Sequence, residues 1–283
     1  MNGRLYDRYN EILSAYDFYN DYMSGKTDRK KYAEELLARR NEISGKGIAG
    51  WNFDRMLLHS NGERDVSAML AEFCARGGYD ADKLEEVFTF DAYKKYAGTI
   101  TPEYLNGEYV TAIFPEDEML MYAASKMAKA STMFIAGGYF GYWVIWAMEE
   151  IKKNGGMCTL ADINPDVTAV SKQNMEKFGF SQNAFCAADD AEKLLLSSDE
   201  PIDLLALDAT GNGADPRPQY RGKRIYAVML RAALKRLYSG SFIIVHNLER
   251  KDDMKELTDI LDDISVAYTE MPTYNGLGLY RVR

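Results

Sequence analysis

The sequence has few cysteines, and none of them belongs to a paired motif. The 283 residues include Cys74, Cys158 and Cys186, with no C-x-x-C spacing among them. A zinc knuckle and a disulfide framework are therefore excluded as organising features. The first residues carry charges at Arg4 and Asp7 without an apolar run, so we expect no secretory signal. Together these absences indicate a reducing compartment, and we expect a cytoplasmic protein.

An excess of basic residues is also lacking. Lys and Arg number 34 against 43 Asp and Glu, for a net charge of -9 and a pI near 5.0. This balance argues against nucleic acid or an anionic membrane as the main partner and favours a small molecule. One uncharged run, 131–148, has the length of a membrane span. Because Gly137, Gly138 and Gly141 interrupt it, we interpret it as a buried strand, a loop and a buried helix.

The composition is that of a globular protein, with 47% hydrophobic and 27% charged residues. Apolar residues at helical spacing dominate the first part, whereas strands alternate with helices from Pro115 onward. We therefore expect a helical N-terminal domain at 1–110 and a second domain at 111–283. The aromatic residues of the first domain could cover an organic acceptor, or form only a helical core or a homodimer interface. They are Tyr6, Tyr9, Tyr16, Tyr19, Tyr22, Trp51 and Phe53.

The second domain is predicted to be an α/β fold. Five strands, at 132–136, 157–161, 183–187, 204–207 and 242–245, alternate with helices, a pattern that predicts a parallel sheet with helices on both faces. Two further strands follow, at 265–270 and 277–282. Asn275 and Gly276 lie before the last strand and predict a hairpin turn. A mostly parallel sheet closed by a C-terminal antiparallel hairpin is thus expected.

The candidate binding residues stand at the carboxyl ends of the predicted parallel strands, where ligands bind in open α/β sheets. Gly137, Gly138 and Gly141 follow the first strand and would let a backbone turn sharply next to a ligand. Asp162 ends the second strand, where a carboxylate can accept both ribose hydroxyls of an adenosine cofactor. The alternative is that Asp162 only caps the helix that follows.

Polar residues also follow the third, fourth and fifth strands. Asp189 and Asp190 precede a helix, so one of them is expected to cap it while the other accepts from an adenine amine. Asp208 ends the fourth strand and would face the reacting centre. His246 and Asn247 end the fifth strand at the same edge. His246 has three interpretations, namely a metal ligand, a general base and a hydrogen-bonded structural histidine.

Residues from about 116 to 283 resemble the class I S-adenosylmethionine-dependent methyltransferases, in particular the caffeoyl-CoA/catechol O-methyltransferase branch. The matching segments occur in the family's order; they are IAGGYFGYW, LADINPDVTAVSKQNMEKFGF, ADDAEKLL, IDLLALDAT and LKRLYSGSFIIVHN. The resemblance implies a Rossmann-like methyltransferase fold with a seven-stranded sheet, and S-adenosylmethionine as the cofactor. It also implies a set of cofactor-binding residues, which are Gly137, Gly138, Tyr139, Gly141, Asp162, Ile163, Asp189, Asp190, Ala191 and Asp208.

This sequence departs from the family pattern at three positions. Ile135 stands where the family usually has an acid near the amino-acid end of the cofactor. The branch binds a divalent metal through two Asp and one Asn, and here these positions carry Asp208, His246 and Asn247. Thr210 replaces a further acid, and no Lys follows closely that could act as the base. A metal site is therefore left open, with a slight preference for none.

We expect a methyltransferase that acts on a hydroxyl or amine of a small molecule, with His246 and Asp208 as the candidate catalytic residues. The altered glycine loop leaves a second possibility, an enzyme that attacks the aminobutyrate part of the same cofactor, or a module that only binds it. A nicotinamide oxidoreductase shares the glycine loop and the acidic strand end, but the C-terminal hairpin argues against it.

Overall fold

A computed structural model describes residues 4–48, 50–248 and 251–283, with a helical region followed by an α/β region. The helices of the first region are α1 (Leu5–Leu13), α2 (Asp17–Met23), α3 (Arg29–Ala38), α4 (Arg40–Gly45), α5 (Gly50–Met56), α6 (Glu63–Ala75), α7 (Ala81–Val87) and α8 (Phe90–Ile100). Helix α8 is not among the predicted helices. It begins after Thr89, whose hydroxyl accepts a hydrogen bond from the Ala92 backbone at 3.2 Å, as an N-cap does.

The second region alternates strands and helices as predicted. In chain order its elements are α9 (Pro115–Met127), β1 (Thr132–Ala136), α10 (Ile145–Lys153), β2 (Met157–Ala161), α11 (Pro165–Lys177), β3 (Ala184–Ala187), α12 (Ala191–Leu196), β4 (Leu204–Leu207), α13 (Ile225–Ala233), β5 (Phe242–His246), α14 (Lys251–Ile264), β6 (Ser265–Met271) and β7 (Leu277–Val282). The sequence also predicts a helix at 221–237, and the corresponding helix α13 is shorter at both ends. Lys223 is hydrogen-bonded to the end of β4, and a 3-10 turn at Leu234–Arg236 follows α13.

The sheet confirms the predicted fold class. Its strand order is β3-β2-β1-β4-β5-β7-β6, with β7 antiparallel to both of its neighbours and the other pairs parallel. Strands β4 and β5 are buried along their whole length, as expected for strands covered on both faces. From β1 the chain passes to β2 and then to β3 on one side of the sheet. It then returns to the other side of β1 and continues outward through β4 and β5. The carboxyl ends of β1 and β4 therefore flank the point at which the strand order reverses.

The C-terminal hairpin is present, but its connection differs from the predicted two-residue turn. Strand β6 ends at Met271 and β7 begins at Leu277, so five residues, 272–276, join them. Asn275 is 1% exposed, and its side-chain amide donates to the Ala112 carbonyl at 2.6 Å and to Asp117 at 3.0 Å. The Asn-Gly pair therefore anchors a longer loop against α9 and does not form the turn by itself.

The uncharged run at 131–148 forms β1, the glycine loop and the start of α10, as the sequence analysis expected. In the described part of the chain no helix has both the length and the apolar character needed to cross a membrane.

The helical region packs directly on the sheet. Phe73 of α6 lies 6.0 Å from Phe242 of β5, measured between ring centroids, and both belong to one buried apolar cluster. Most of the aromatic residues singled out above belong to a different cluster, which Phe114 and Tyr274 complete. Tyr9, Tyr19, Tyr22 and Phe53 are buried there, and Tyr6 and Tyr16 pack against them. The side chain of Trp51 lies outside the described residues. For these aromatic residues the structure favours a helical core over a cover for an acceptor.

Candidate functional site

A cavity of about 480 Å³ opens at the carboxyl ends of β1, β2, β4 and β5. A second, smaller pocket of about 200 Å³ extends from it past the ends of β2 and β3. The two share Gly137, Asp162, Ala209 and Thr210, so together they form one groove across the switch point of the sheet. The site residues expected at these strand ends line this groove, except Gly141, where a Cβ would lie 2.7 Å from Ser171 of α11.

The glycine loop begins the groove. The backbone N–H groups of Gly137 and Gly138 both donate to the Ala161 carbonyl at the end of β2, at 2.9 and 3.0 Å. Gly137 has a φ of 87°, and a Cβ at this position would lie 2.4 Å from the Ala209 backbone nitrogen. Only glycine is compatible with this approach of two strand ends. Tyr139 also has a positive φ, 44°, and its half-exposed ring stands at the mouth of the cavity.

Asp162 is joined to the glycine loop. Its Oδ2 accepts from the Tyr139 backbone at 3.0 Å, and its Oδ1 accepts from the Asn164 backbone at 3.0 Å. Burial raises the pKa of this carboxyl, and the two backbone hydrogen bonds oppose the rise. Each oxygen retains capacity for another donor, as two ribose hydroxyls would require. The next residue, Ile163, is 74% exposed, and its side chain forms an apolar surface at the edge of the smaller pocket.

The structure also distinguishes between the two acids that follow β3. Asp190 caps α12, with its Oδ1 accepting from the backbone of Glu192 at 2.8 Å and from that of Lys193. Asp189 pairs with the Lys193 ammonium at 2.8 Å, and this hydrogen bond lowers the pKa of the Asp189 carboxyl. Both acids line the smaller pocket next to Ala191. Asp189 is therefore the acid left to meet a ligand.

The end of β4 carries the most highly charged part of the site. Asp208 Oδ1 lies 3.3 Å from the Lys223 ammonium and 2.9 Å from His246 Nδ1. Burial alone would raise the pKa of Asp208, but His246 and Lys223 bring it below its ordinary value. Asp208 is therefore an ionised carboxylate, and its Oδ2 makes no hydrogen bond to any described residue. The contact of Lys223 with Asp208 could not be predicted from the sequence, because Lys223 stands 15 residues after Asp208 and no sequence signal indicates the path of the loop between them.

His246 lies between two carboxylates. Its Nδ1 faces Asp208, and its Nε2 lies 3.6 Å from Asp117 Oδ2, a buried acid in the first turn of α9. Burial disfavours the charged imidazole, but the two carboxylates outweigh it and raise the pKa of His246 to about 10. The ring is 3% exposed and packs 5.1 Å from Trp143. Of the three interpretations of His246, these contacts favour a hydrogen-bonded structural histidine over a general base.

Solved methyltransferase structures resemble this chain in fold. An O-methyltransferase from Bacillus cereus in complex with S-adenosylhomocysteine is 15% identical, covers 77% of this chain and 100% of its own, and has a TM-score of 0.50. The methyltransferase PaMTH1 from Podospora anserina, bound to S-adenosylhomocysteine, is also 15% identical, with 78% and 97% covered and a TM-score of 0.50. This chain has the class I methyltransferase fold. No family model matches the sequence, and no curated protein does.

The resemblance to metal-dependent methyltransferases left open whether a divalent cation binds at the ends of β4 and β5. Its three candidate ligands, Asp208, His246 and Asn247, do meet at one edge of the cavity. However, the Lys223 ammonium is placed against Asp208, and each nitrogen of His246 faces a carboxylate oxygen. Within the described residues no group of three His, Cys, Asp or Glu side chains is arranged to hold a metal. As arranged, these residues do not fit a divalent cation.

Proposed function

We propose that this protein is a methyltransferase that uses S-adenosylmethionine to methylate a hydroxyl or amine of a small molecule. The observation that carries the proposal is the groove at the switch point of the sheet. There the turn at Gly137, which only glycine can make, leads to Tyr139, whose backbone N–H donates to the Asp162 carboxylate. Ligands of open α/β sheets bind at this edge, which supports an adenosine cofactor in the groove.

The smaller pocket suits the adenosine half of the cofactor. Asp162 offers both carboxylate oxygens to the ribose hydroxyls, and Asp189 can accept from the adenine amine. The exposed face of Ile163, with Met229 across the same pocket, offers apolar surface for the adenine ring. S-adenosylmethionine would supply an electrophilic methyl group at the larger cavity.

The larger cavity suits the acceptor. Its volume of about 480 Å³ is within the range of small-molecule sites. Arg55 of α5 and Val110 form part of its wall, so the helical region contributes to the acceptor side. On the floor, the Oδ2 of Asp208 is available to accept a hydrogen bond from an acceptor hydroxyl or amine. Such a bond would orient the nucleophile for in-line displacement, which needs alignment more than acid–base chemistry.

The direct test is calorimetry with S-adenosylhomocysteine, with NAD as the contrasting ligand. We expect S-adenosylhomocysteine to bind and NAD to give no heat. With S-adenosylmethionine and a collection of small hydroxyl and amine compounds, mass spectrometry should detect a product heavier by one methylene together with S-adenosylhomocysteine. Failure of both S-adenosyl ligands to bind the folded protein would refute the proposal.

A further inference from the structure

The ammonium of Lys223 occupies a built cation site at the end of β4. The side chain is 5% exposed, and its nitrogen lies within hydrogen-bond distance of four oxygen atoms. These are the Asp208 carboxylate at 3.3 Å, the Asp208 and Ala209 carbonyls at 3.1 Å each, and the Tyr226 hydroxyl at 2.7 Å. A buried ammonium is costly unless oxygens surround it, and here they do. This shell of oxygens resembles the surroundings of a small metal cation.

The imidazole of His246 meets the same carboxylate. His246 Nδ1 lies 2.9 Å from Asp208 Oδ1, the oxygen that Lys223 also approaches. The other ring nitrogen, Nε2, is directed at Asp117, so neither nitrogen presents a lone pair to the cavity. A divalent ion at Asp208 would stand against the Lys223 ammonium, and it would gain no imidazole ligand because both ring nitrogens face carboxylates.

We propose that the Lys223 ammonium takes the place of a divalent cation at Asp208, so that methyl transfer by this protein is independent of metal. The proposal rests on the proposed function and adds a class of acceptor to it. In a metal-dependent site, two vicinal hydroxyls of an acceptor can both bind the metal. Here the acceptor would instead hydrogen-bond to one carboxylate oxygen, Asp208 Oδ2. The acceptor therefore presents a single hydroxyl or amine to Asp208.

The first experiment uses the unaltered protein. Manganese binding is followed by electron paramagnetic resonance, with S-adenosylhomocysteine bound, and S-adenosylhomocysteine affinity is measured by calorimetry with and without EDTA. We expect no stoichiometric Mn²⁺ and the same affinity in both buffers. Stoichiometric Mn²⁺ that Asp208→Asn removes would overturn the proposal. A protein that binds neither Mn²⁺ nor S-adenosylhomocysteine would support the absence of a metal site while refuting the proposed function, so the two failures are distinguishable.

The second experiment removes the ammonium. In Lys223→Ala the oxygens around it lose their cation, and we expect this variant to bind Mn²⁺ where the unaltered protein does not. Lys255→Ala is the matched control, because Lys255 is an exposed lysine of α14 that pairs with Asp259, away from the groove. A folded Lys223→Ala protein that binds S-adenosylhomocysteine but gains no Mn²⁺ would show that the lysine does not stand in for a metal. If this variant does not fold, the measurement on the unaltered protein still decides.

Once an acceptor is found, its methylation gives a third measurement. We expect the rate to be the same with and without EDTA, and compounds with a single hydroxyl or amine to react. Loss of activity in EDTA that Mg²⁺ restores would contradict the role of Lys223.

Discussion

Replacing Asp162 by alanine should separate cofactor binding from folding. In the structure each carboxylate oxygen of Asp162 accepts one backbone N–H at 3.0 Å, from Tyr139 and from Asn164. Two ribose hydroxyls would add two charge-assisted hydrogen bonds to the same oxygens. Loss of that pair is expected to cost about 1.5–3 kcal/mol of binding free energy, or roughly ten- to a hundred-fold in affinity for S-adenosylhomocysteine.

The two backbone bonds add an indirect effect. The Tyr139 N–H is part of the glycine loop, so Asp162→Ala also releases one contact that holds the loop in place. Asp162→Asn keeps one carbonyl oxygen that can still accept from a backbone N–H, but it loses the negative charge. We therefore expect the asparagine variant to bind more tightly than the alanine variant and more weakly than the unaltered protein.

Calorimetry with S-adenosylhomocysteine measures the affinities, and thermal unfolding shows whether each variant is folded. Asp199→Ala is a suitable control, because Asp199 is a surface acid that pairs with Lys235 and lines neither part of the groove. It should bind as the unaltered protein does. A folded Asp162→Ala protein with unchanged affinity would show that this carboxylate does not hold the ribose.

Three other predictions concern the groove and its surroundings. Gly137→Ala should lower the free energy of unfolding by at least about 2 kcal/mol and abolish cofactor binding, whereas Gly155→Ala should lower it by only about 1 kcal/mol, because nothing lies within 4 Å of the new Cβ. Equal effects of the two substitutions in denaturant titrations would contradict the steric argument. His59 is fully buried, and burial lowers its pKa to about 4, so below pH 6.5 the unfolded chain binds a proton at His59 that the folded protein does not bind. The free energy of unfolding should therefore fall between pH 6.5 and pH 4 by about 3 kcal/mol more than it does in His59→Gln, and parallel curves of stability against pH would refute this. Asp117→Asn removes one of the two carboxylates beside His246, so an NMR titration should show a lower pKa for His246, and an unchanged value would exclude that contact.

The sequence was sufficient to predict the sheet and the residues at its carboxyl edge. Parallel strands in this fold are short buried runs, and their ends all meet at one edge, so Asp162, Asp208 and His246 could be placed together without knowing any distance. The glycine loop could be placed in the same way. What remained open in the sequence was which of two adjacent acids caps a helix, since both Asp189 and Asp190 stand where a cap can form.

The partners of these strand-end residues could not be predicted. Lys223 reaches Asp208 only because the loop after β4 turns back on itself, with Gly211 bridged to Gly222 in an antiparallel pair. Asp117 reaches His246 from α9, although it stands far earlier in the chain than the end of β5. Long-range packing decides both contacts, and hydrophobic spacing carries no information about it. The sequence therefore left three interpretations of His246 open, and it gave no sign of the two carboxylates that flank the ring in the structure.

The aromatic residues of the first helices show the same limit. Helical spacing predicts that Tyr9, Tyr19 and Tyr22 lie on buried faces, but it does not say what covers them. In the structure they pack among themselves, together with Phe114 and Tyr274 from the second region. The aromatic residues that line the larger cavity are others, namely Tyr139, Tyr142 and Trp143 of the second region.

One turn of helix α9 connects the helical region to the site. Three consecutive buried acids begin this helix, and because successive residues of an α-helix point about 100° apart, each meets different partners. Glu118 accepts from Arg4 at 2.9 Å and from Tyr142 at 3.0 Å, while Asp117 faces His246 and Asn275. Arg4 thus neutralises the buried charge of Glu118, the residue that follows Asp117, which contacts His246.

This connection bears on whether residues 1–110 act as a separable lid. Removing them would leave Glu118 buried without the Arg4 guanidinium, a change that typically costs several kcal/mol, and it would expose the apolar face of α9 at the same time. The α9 turn would then lose its anchor at the position from which Asp117 approaches His246. We therefore expect the helical region, which contributes Arg55 to the wall of the cavity, to support the site rather than to open over it as a cover.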